Sequence, residues 1–183
     1  MIYLLIASYF IGSISSAVII CKVLGIPDPR TQGTKNPGAT NVLRLGGKKI
    51  AGFVLTFDGL KGASPVIIGH YLEFGLTQLT LIALCAFLGH IFPVFFRFRG
   101  GKGVATYLGG LIAINLFVGL IFSVIWLLVA KVLKTSSLAA LIATALSPFY
   151  FYFITGDMAS TLIIGLISLF IFYTHRGLSL IHI

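Results

Sequence analysis

Six apolar runs dominate the sequence, and their lengths constrain the fold more than any other feature. The runs cover Ile2–Leu24, Ile50–Leu72, Leu76–Phe96, Val104–Ala130, Ser137–Thr155 and Met158–Tyr173. Each is near the roughly 20 residues that cross a bilayer as a helix. In hydrocarbon the backbone groups must pair within the protein, and the alternation typical of a membrane barrel is absent. We therefore predict an all-α polytopic membrane protein, with residues 1–183 forming a single integral-membrane domain.

The composition excludes most soluble classes of protein. Hydrophobic residues make up 58% of the chain and charged residues 9%, whereas a soluble domain carries about 25% charged residues. The net charge of +9 is the expected result of Lys and Arg collecting on one side of a membrane. No basic face with interleaved aromatics indicates nucleic acid as a partner. Cys21 and Cys85 lie singly in apolar runs, so we predict that they form neither a disulfide framework nor a metal site. We also predict no cofactor.

The basic residues predict how the chain threads through the bilayer. The N-terminus carries no charge before Lys22, which argues against a cleaved signal peptide and places the N-terminus outside. The turns around Glu73 and Asp157 contain no Lys or Arg and should also lie outside. The residues expected on the inside are Lys22, Arg30, Lys35, Arg44, Lys48, Lys49, Arg97, Arg99, Lys102, Lys131, Lys134 and Arg176.

The fourth run is consistent with two topologies. A single span over Val104–Ala130 gives six helices but places Lys131, Lys134 and Arg176 outside. A turn near Asn115 to Gly119 gives seven helices, one of them short, with the C-terminus in the cytoplasm. We favour seven helices because Asn115 is the only strongly polar residue in that run.

Two segments on the predicted inner face combine glycines, hydrogen-bond donors and cations. The first runs from Gly33 to Asn41 and is followed by Arg44; it is suited to an oxyanion, although a plain polar turn would explain it equally well. The second, Gly100-Gly101-Lys102-Gly103, immediately precedes an apolar helix. A helix N-terminus beside a lysine is a suitable phosphate site. It departs from the nucleotide-binding P-loop pattern, because Gly103 stands where that pattern has Ser or Thr.

Two further groups are unusual for their surroundings. His175 and Arg176 lie at the inner end of the last run. Asp58 and Lys61 lie three residues apart inside the second run, where they share a helix face. Ions within a membrane usually face the bundle interior and pair, so this pair either locks helices together or shapes the site.

These segments resemble the PlsY family, the membrane glycerol-3-phosphate acyltransferases that use acyl phosphate. The resemblance spans nearly the whole chain and keeps the order of the segments. The family usually has Ser where Thr34 stands, and an Asn soon after the His-Arg pair, where this chain continues from Gly177. The matching stretches are Gly33–Asn41 with Arg44, Asp58–Gly62, Gly89–Pro93, Gly100–Thr106 and His175-Arg176.

The resemblance implies a seven-helix enzyme of the bacterial plasma (inner) membrane with its active site facing the cytoplasm. Its substrates would be acyl phosphate and glycerol 3-phosphate, its products lysophosphatidate and phosphate, and it would act in phospholipid synthesis. The enzyme that makes acyl phosphate is a candidate partner. The residues expected to bind substrate are Asn36, Gly38, Asn41, Arg44, His90, Gly101, Gly103, Val104, Thr106 and Arg176.

We expect direct attack of the substrate hydroxyl on the acyl carbonyl, because no Ser-His-Asp or Cys-His pattern is available for an acyl-enzyme. Thr34, Lys102 and His175 are the predicted catalytic residues. Thr34, Lys102 and the amides of residues 101–104 would hold the leaving phosphate, while Arg44 and His175 orient the second phosphate. The base would be a substrate phosphate oxygen, with His90 and His175 as alternatives.

Two other functions fit parts of the sequence. A transporter of an organic phosphate or another anion would also need cations and helix ends. However, the polar clusters gather at one face, and the two halves show no clear inverted repeat. An acyltransferase that uses acyl-CoA commonly carries His-x-x-x-x-Asp, which is absent after His70, His90 and His175.

Overall fold

The structure, a computed structural model, describes residues 1–177, and within that range it is helical without strands. The helices are α1 (Ile2–Gly12), α2 (Ser16–Val23), α3 (Ala39–Tyr71), α4 (Leu76–Ile91), α5 (Val104–Ile114), α6 (Leu116–Leu133), α7 (Ser136–Thr155) and α8 (Met158–Thr174), with a 3₁₀ turn at Val94–Phe96. Helices α3, α6 and α7, and α4 together with the 3₁₀ turn that follows it (Leu76–Phe96), are each long and apolar enough to cross a membrane, and the bent pair α1–α2 is a fifth candidate. With that pair taken as one broken span, there are seven apolar segments, as predicted.

The first apolar run is broken, which corrects the prediction of one continuous helix over Ile2–Leu24. Helices α1 and α2 meet at an angle of 42° across the buried residues Ser13 and Ser15. The break leaves the carbonyl of Ile14 outside any helix, and the Lys61 ammonium donates to it at 2.7 Å. Lys61 also lies 2.9 Å from Asp58. The buried ion pair therefore joins α3 to the break and compensates for its missing backbone bond.

The second apolar run also differs from its prediction, because helix begins eleven residues before Ile50. Helix α3 starts at Ala39, after Gly38 in extended conformation, and contains one non-helical residue, Gly47, with φ +81°. A positive φ is easily reached only by glycine, so Gly47 turns the chain between a short first stretch and the long membrane-spanning part. Arg44 is consequently helical, and the first polar segment is a loop only as far as Gly38.

The fourth apolar run divides at Asn115, which confirms the seven-segment interpretation. Asn115 leaves the helical conformation, and its side-chain oxygen accepts from the amides of Phe117 and Val118 at 3.0 and 3.2 Å. This is an N-cap, which satisfies the first donors of α6. The turn is shorter than predicted, because this single side chain caps the new helix at once and Gly119 is already helical.

Helices α3 and α5 approach each other through glycine. A Cβ on Gly62 would collide with the carbonyl of Thr106, and one on Gly109 would collide with the carbonyl of Gly59. Small residues allow such contact between backbones, which is how helices associate within membranes. The stretch Asp58–Gly62 thus combines the ion pair with two glycines that seat α5, and the N-terminus of α5 follows the second polar segment directly.

We expect Gly62→Ala to lower the free energy of unfolding by about 1–3 kcal/mol, the usual cost of overpacking a tight contact. The added methyl group would force α5 away from α3 at Thr106. Gly52→Ala is the matched control, because a Cβ there meets open space on the same helix. Denaturant unfolding of both variants in detergent micelles measures the effect. Equal stability of the two variants would refute the tight helix contact.

Candidate active site

The second polar segment lies between the first loop and the end of α8. A Cβ on Gly101 would lie 3.1 Å from the carbonyl of Pro37, which shows how closely the two loops pack. On the other side, the Thr174 hydroxyl lies 3.2 Å from the carbonyl of Lys102 and 2.9 Å from that of Ile171, between which its one hydrogen is shared. Three segments that are distant in sequence therefore meet at one end of the bundle, around residues 100–103, called the glycine loop below.

The first loop is held together by Asn41, which is fully buried. Its side-chain oxygen accepts from the amide of Thr34 at 2.9 Å, and its NH₂ group donates to the carbonyls of Pro29 and Gln32 at 2.9 and 3.0 Å. The Asn41 side chain is thus engaged within the loop and positions Thr34. Thr34 itself is exposed, and Asn36 and Gly38 follow it at the entry to α3.

The backbone of the glycine loop packs closely against neighbouring residues, with no room for side chains at Gly101 and Gly103. Gly103 has φ +86°, and a Cβ there would collide with the Phe87 ring. The amide of Gly101, one of the donors expected to bind phosphate, donates to the carbonyl of His90 at 3.2 Å. Helix α5 begins at Val104, which places the positive end of its dipole at the loop. The first amides of α5 remain the suitable donors for an anion.

Lys102 is half-buried at the centre of these contacts. Burial lowers the pKa of its ammonium group, and within residues 1–177 no carboxylate lies within ion-pair distance of it. A partly desolvated cation without a counter-ion, next to a helix N-terminus, favours binding of an anion.

His175 lies directly after α8 and is buried. Its Nδ1 lies 2.8 Å from the carbonyl oxygen of Ile171, and since a carbonyl only accepts, Nδ1 carries the proton and Nε2 keeps its lone pair. Burial lowers the pKa of the ring to about 4, the charge of Lys102 acts in the same direction, and the bond to Ile171 opposes both. The ring is therefore neutral at pH 7 and offers an acceptor at Nε2.

We expect the His175 ring to titrate near pH 4 rather than near 6.5. Between these values the unfolded chain binds a proton that the folded chain does not, so the contribution of His175 to stability falls as the pH drops through this window and is constant above it. Histidine ¹³C NMR in nanodiscs measures the titration, with His175→Gln assigning the resonance. An inflection near pH 6.5 would show that the ring is solvated.

His90 packs against the glycine loop at Gly101. Its Nδ1 lies 3.1 Å from the Thr106 hydroxyl and 3.7 Å from the Asp58 carboxylate, and a Cβ on Gly101 would collide with its Nε2. His90 therefore connects the buried ion pair of α3 to the loop. The sequence placed His90 and Thr106 among the residues that bind substrate, whereas these contacts are with the protein itself.

The side chains of two predicted arginines make no hydrogen bond or ion pair with the first loop or the glycine loop within residues 1–177. Arg176 is exposed. Its guanidinium donates to the carbonyl of Tyr173 at 3.1 Å and stacks on the Tyr173 ring at 3.9 Å, so its side chain contacts the last turn of α8. Arg44 is exposed on the first stretch of α3. The sequence departs from the family after Arg176, where the family has an Asn. The structure describes only Gly177 of this segment, and residues 178–183 lie outside the described range.

Sequence reasoning missed two contributors, Thr174 and Pro37. Thr174 directly precedes the candidate catalytic residue His175. A hydroxyl in that position was a sequence signal that could have identified Thr174. Pro37 contributes only a carbonyl, for which no side-chain pattern exists.

The chain is similar to known proteins along nearly its full length. The family model described as glycerol-3-phosphate acyltransferase matches residues 2–179. The glycerol-3-phosphate acyltransferase of Ruthia magnifica subsp. Calyptogena magnifica is 60% identical over 176 residues, covering 96% of this chain and 89% of the relative. That of Hydrogenovibrio crunogenus is 47% identical over 171 residues, covering 93% of this chain and 82% of the relative.

Two crystal structures share the fold. Both are of PlsY (YgiH), an integral membrane glycerol 3-phosphate acyltransferase. The glycerol 3-phosphate form has a TM-score of 0.90 and 37% identity, covering 96% of this chain and 88% of that one. The lysophosphatidic acid form has a TM-score of 0.86 and 36% identity, covering 96% and 87%.

Proposed function

The chain belongs to the glycerol-3-phosphate acyltransferase family and is an integral membrane acyltransferase, and from this premise we propose the reaction that it carries out. A fatty acyl group passes from acyl phosphate to the 1-hydroxyl of glycerol 3-phosphate, giving lysophosphatidate and phosphate. The observation that carries the proposal is the meeting of the first loop, the glycine loop and His175 at one end of the bundle. Both substrates are phosphorylated, and this cluster offers phosphate the Lys102 ammonium and the first amides of α5.

The proposed reaction needs no covalent intermediate. The 1-hydroxyl oxygen forms a bond to the acyl carbonyl carbon, and the bond from that carbon to the phosphate oxygen breaks. The leaving phosphate takes up the developing charge next to Lys102, Thr34 and the first amides of α5. Acyl phosphate is already a reactive mixed anhydride, so the protein mainly positions the two substrates and stabilises charge.

The hydroxyl proton goes to a base for which three candidates remain. A phosphate oxygen of the substrate is the first. His175 is the second, supported by the free lone pair on Nε2 of its neutral ring. His90 is the third, but its Nε2 lies against Gly101 and its Nδ1 against Thr106. The geometry thus favours His175 over His90.

The setting of this reaction is also part of the proposal. The resemblance to the family implies a bacterial plasma membrane, and the basic residues favour an orientation with the cluster facing the cytoplasm, the N-terminus outside and the C-terminus inside. The enzyme that makes acyl phosphate would then reach the site from the cytoplasm, and the lysophosphatidate product would enter the bilayer.

The experiment that tests the proposal compares acyl donors. Purified protein receives glycerol 3-phosphate with palmitoyl phosphate, palmitoyl-CoA or palmitoyl acyl-carrier protein in parallel, and lysophosphatidate is measured. We expect product only from acyl phosphate. Equal rates from a thioester would contradict the proposed donor, and flux of glycerol 3-phosphate into vesicles without product would favour a transporter.

A further inference from the structure

A cavity of about 530 Å³ lies next to the glycine loop but does not include the proposed catalytic residues. Pro37 and Gly100 form the wall that it shares with the cluster described above. We call this cavity the basic vestibule. Its charged lining consists of Arg30, Lys35, Arg97, Arg99 and Asp28, and Phe96 forms part of its apolar wall.

The charges of the vestibule are unbalanced. Its one carboxylate, Asp28, pairs with Arg30 at 2.6 Å, and the Arg30 guanidinium lowers the pKa of that carboxyl below its usual range. Within the part of the chain that the structure describes, no carboxylate lies within ion-pair distance of Lys35, Arg97 or Arg99. Three uncompensated cations around one cavity repel one another and create a positive potential there. An anion bound in the cavity would relieve this repulsion.

The vestibule is also partly preorganised. Arg30 is held by hydrogen bonds from Nε and Nη2 to Asp28 at 3.0 and 2.6 Å, and its guanidinium lies over the Phe96 ring at 5.7 Å. Arg97, which also lines the cavity, adopts a left-handed conformation with φ 55°, and so does the next residue, Phe98, with φ 57°. Such conformations are costly for residues with side chains and persist only where surrounding contacts hold them. The chain thus maintains an unfavourable backbone at the arginine that faces the cavity.

Several arginines together suit phosphate better than other anions, because the planar guanidinium matches two phosphate oxygens at once. The volume lies within the range of small-molecule sites. Phe95 and Phe98 are 59% and 60% exposed on the same segment, so a ligand with an acyl chain would find apolar surface next to the cations.

We propose that the basic vestibule binds a phosphomonoester at a site separate from the one at Lys102. Two sources share this chemistry: a soluble ester such as glycerol 3-phosphate, or a lipid such as lysophosphatidate whose chain lies along Phe95 and Phe98. The proposal relies on the proposed function only for the choice of these probes. Occupation of the vestibule would keep a second phosphorylated molecule within reach of the glycine loop.

The test counts bound ligand directly. Equilibrium dialysis of the purified protein with radiolabelled glycerol 3-phosphate measures the stoichiometry and affinity, and the same measurement with lysophosphatidate uses phosphatidylcholine nanodiscs. Lys35→Gln/Arg97→Gln removes two vestibule cations. Lys48→Gln/Lys49→Gln is the matched control, because it removes the same charge from exposed positions early in α3. Lys102→Ala removes the other site.

We expect the unmodified protein to bind two equivalents of at least one of the two ligands. In Lys35→Gln/Arg97→Gln the affinity for one of these equivalents should fall about tenfold for each cation removed. The control should keep both equivalents, and Lys102→Ala should keep the vestibule equivalent. The probe that loses binding identifies the source as soluble or lipid. A single equivalent of each probe, or two that survive Lys35→Gln/Arg97→Gln, would overturn the proposal. If the protein binds both equivalents of ligand but forms no lysophosphatidate from acyl phosphate, that result would count against the proposed function and not against the vestibule.

Discussion

Replacing Lys102 by Ala is expected to lower the rate of acyl transfer by about 10²–10³-fold, the usual cost of removing one group that stabilises developing charge. Lys102 is the half-buried cation of the glycine loop, and its backbone carbonyl lies 3.2 Å from the Thr174 hydroxyl, a contact that does not involve its charge. Initial rates of lysophosphatidate formation at saturating substrate measure the loss.

The Lys102 result has a simple control. Lys131→Ala removes an exposed cation at the end of α6, and its rate should match that of the unmodified protein. Unfolding curves should be similar for both variants, because Lys102 has no ion-pair partner among residues 1–177. Retention of more than a tenth of the rate in Lys102→Ala would remove this residue from the proposed mechanism.

Replacing Asp58 by Leu is expected to reduce the free energy of unfolding by about 3–5 kcal/mol. Asp58 and Lys61 are 2% and 8% exposed, so the substitution would leave the Lys61 ammonium buried without its counter-ion. Asp58 also accepts from the Ser16 hydroxyl at 2.7 Å, a bond that is lost as well. Denaturant unfolding in micelles measures the change.

The double variant Asp58→Leu/Lys61→Met separates charge from packing. It removes the unpaired ammonium but leaves the Ile14 carbonyl without its donor, which costs about 1–3 kcal/mol. It should therefore be more stable than Asp58→Leu and less stable than the unmodified protein. If Asp58→Leu alone unfolds like the unmodified protein, the pair does not hold α3 against the α1–α2 break.

The sequence predicted the number of apolar segments because a polar residue within an apolar run leaves a clear signal. Asn115 is such a residue, and the chain divides there. The break between α1 and α2 had no such signal, because serine is tolerated inside membrane helices, where its hydroxyl can bond to a preceding carbonyl. The Ser13 hydroxyl makes this bond to the carbonyl of Tyr9 at 2.8 Å. Lys61, which donates to the Ile14 carbonyl at the break, is 47 residues away in sequence, so no local pattern links the two.

Residue types also indicated the chemistry of the candidate site, but not the task of each residue. Glycines, hydroxyls and cations in two loops predicted an anion site. Asn41 has the same donors whether it contacts a ligand or its own loop, and only the fold shows that it is engaged by Thr34, Pro29 and Gln32. The basic vestibule was not predicted, because it depends on how two separate loops pack.

The bond from Lys61 to Ile14 also bears on how the chain is made. Synthesis proceeds from the N-terminus, so α1 and α2 are made before Lys61. Until then the Ile14 carbonyl has no protein donor, and a polar group without a partner is unfavourable in hydrocarbon. The nascent chain can therefore form this bond only once it includes Lys61, so residues 1–61 are the shortest chain that holds both groups.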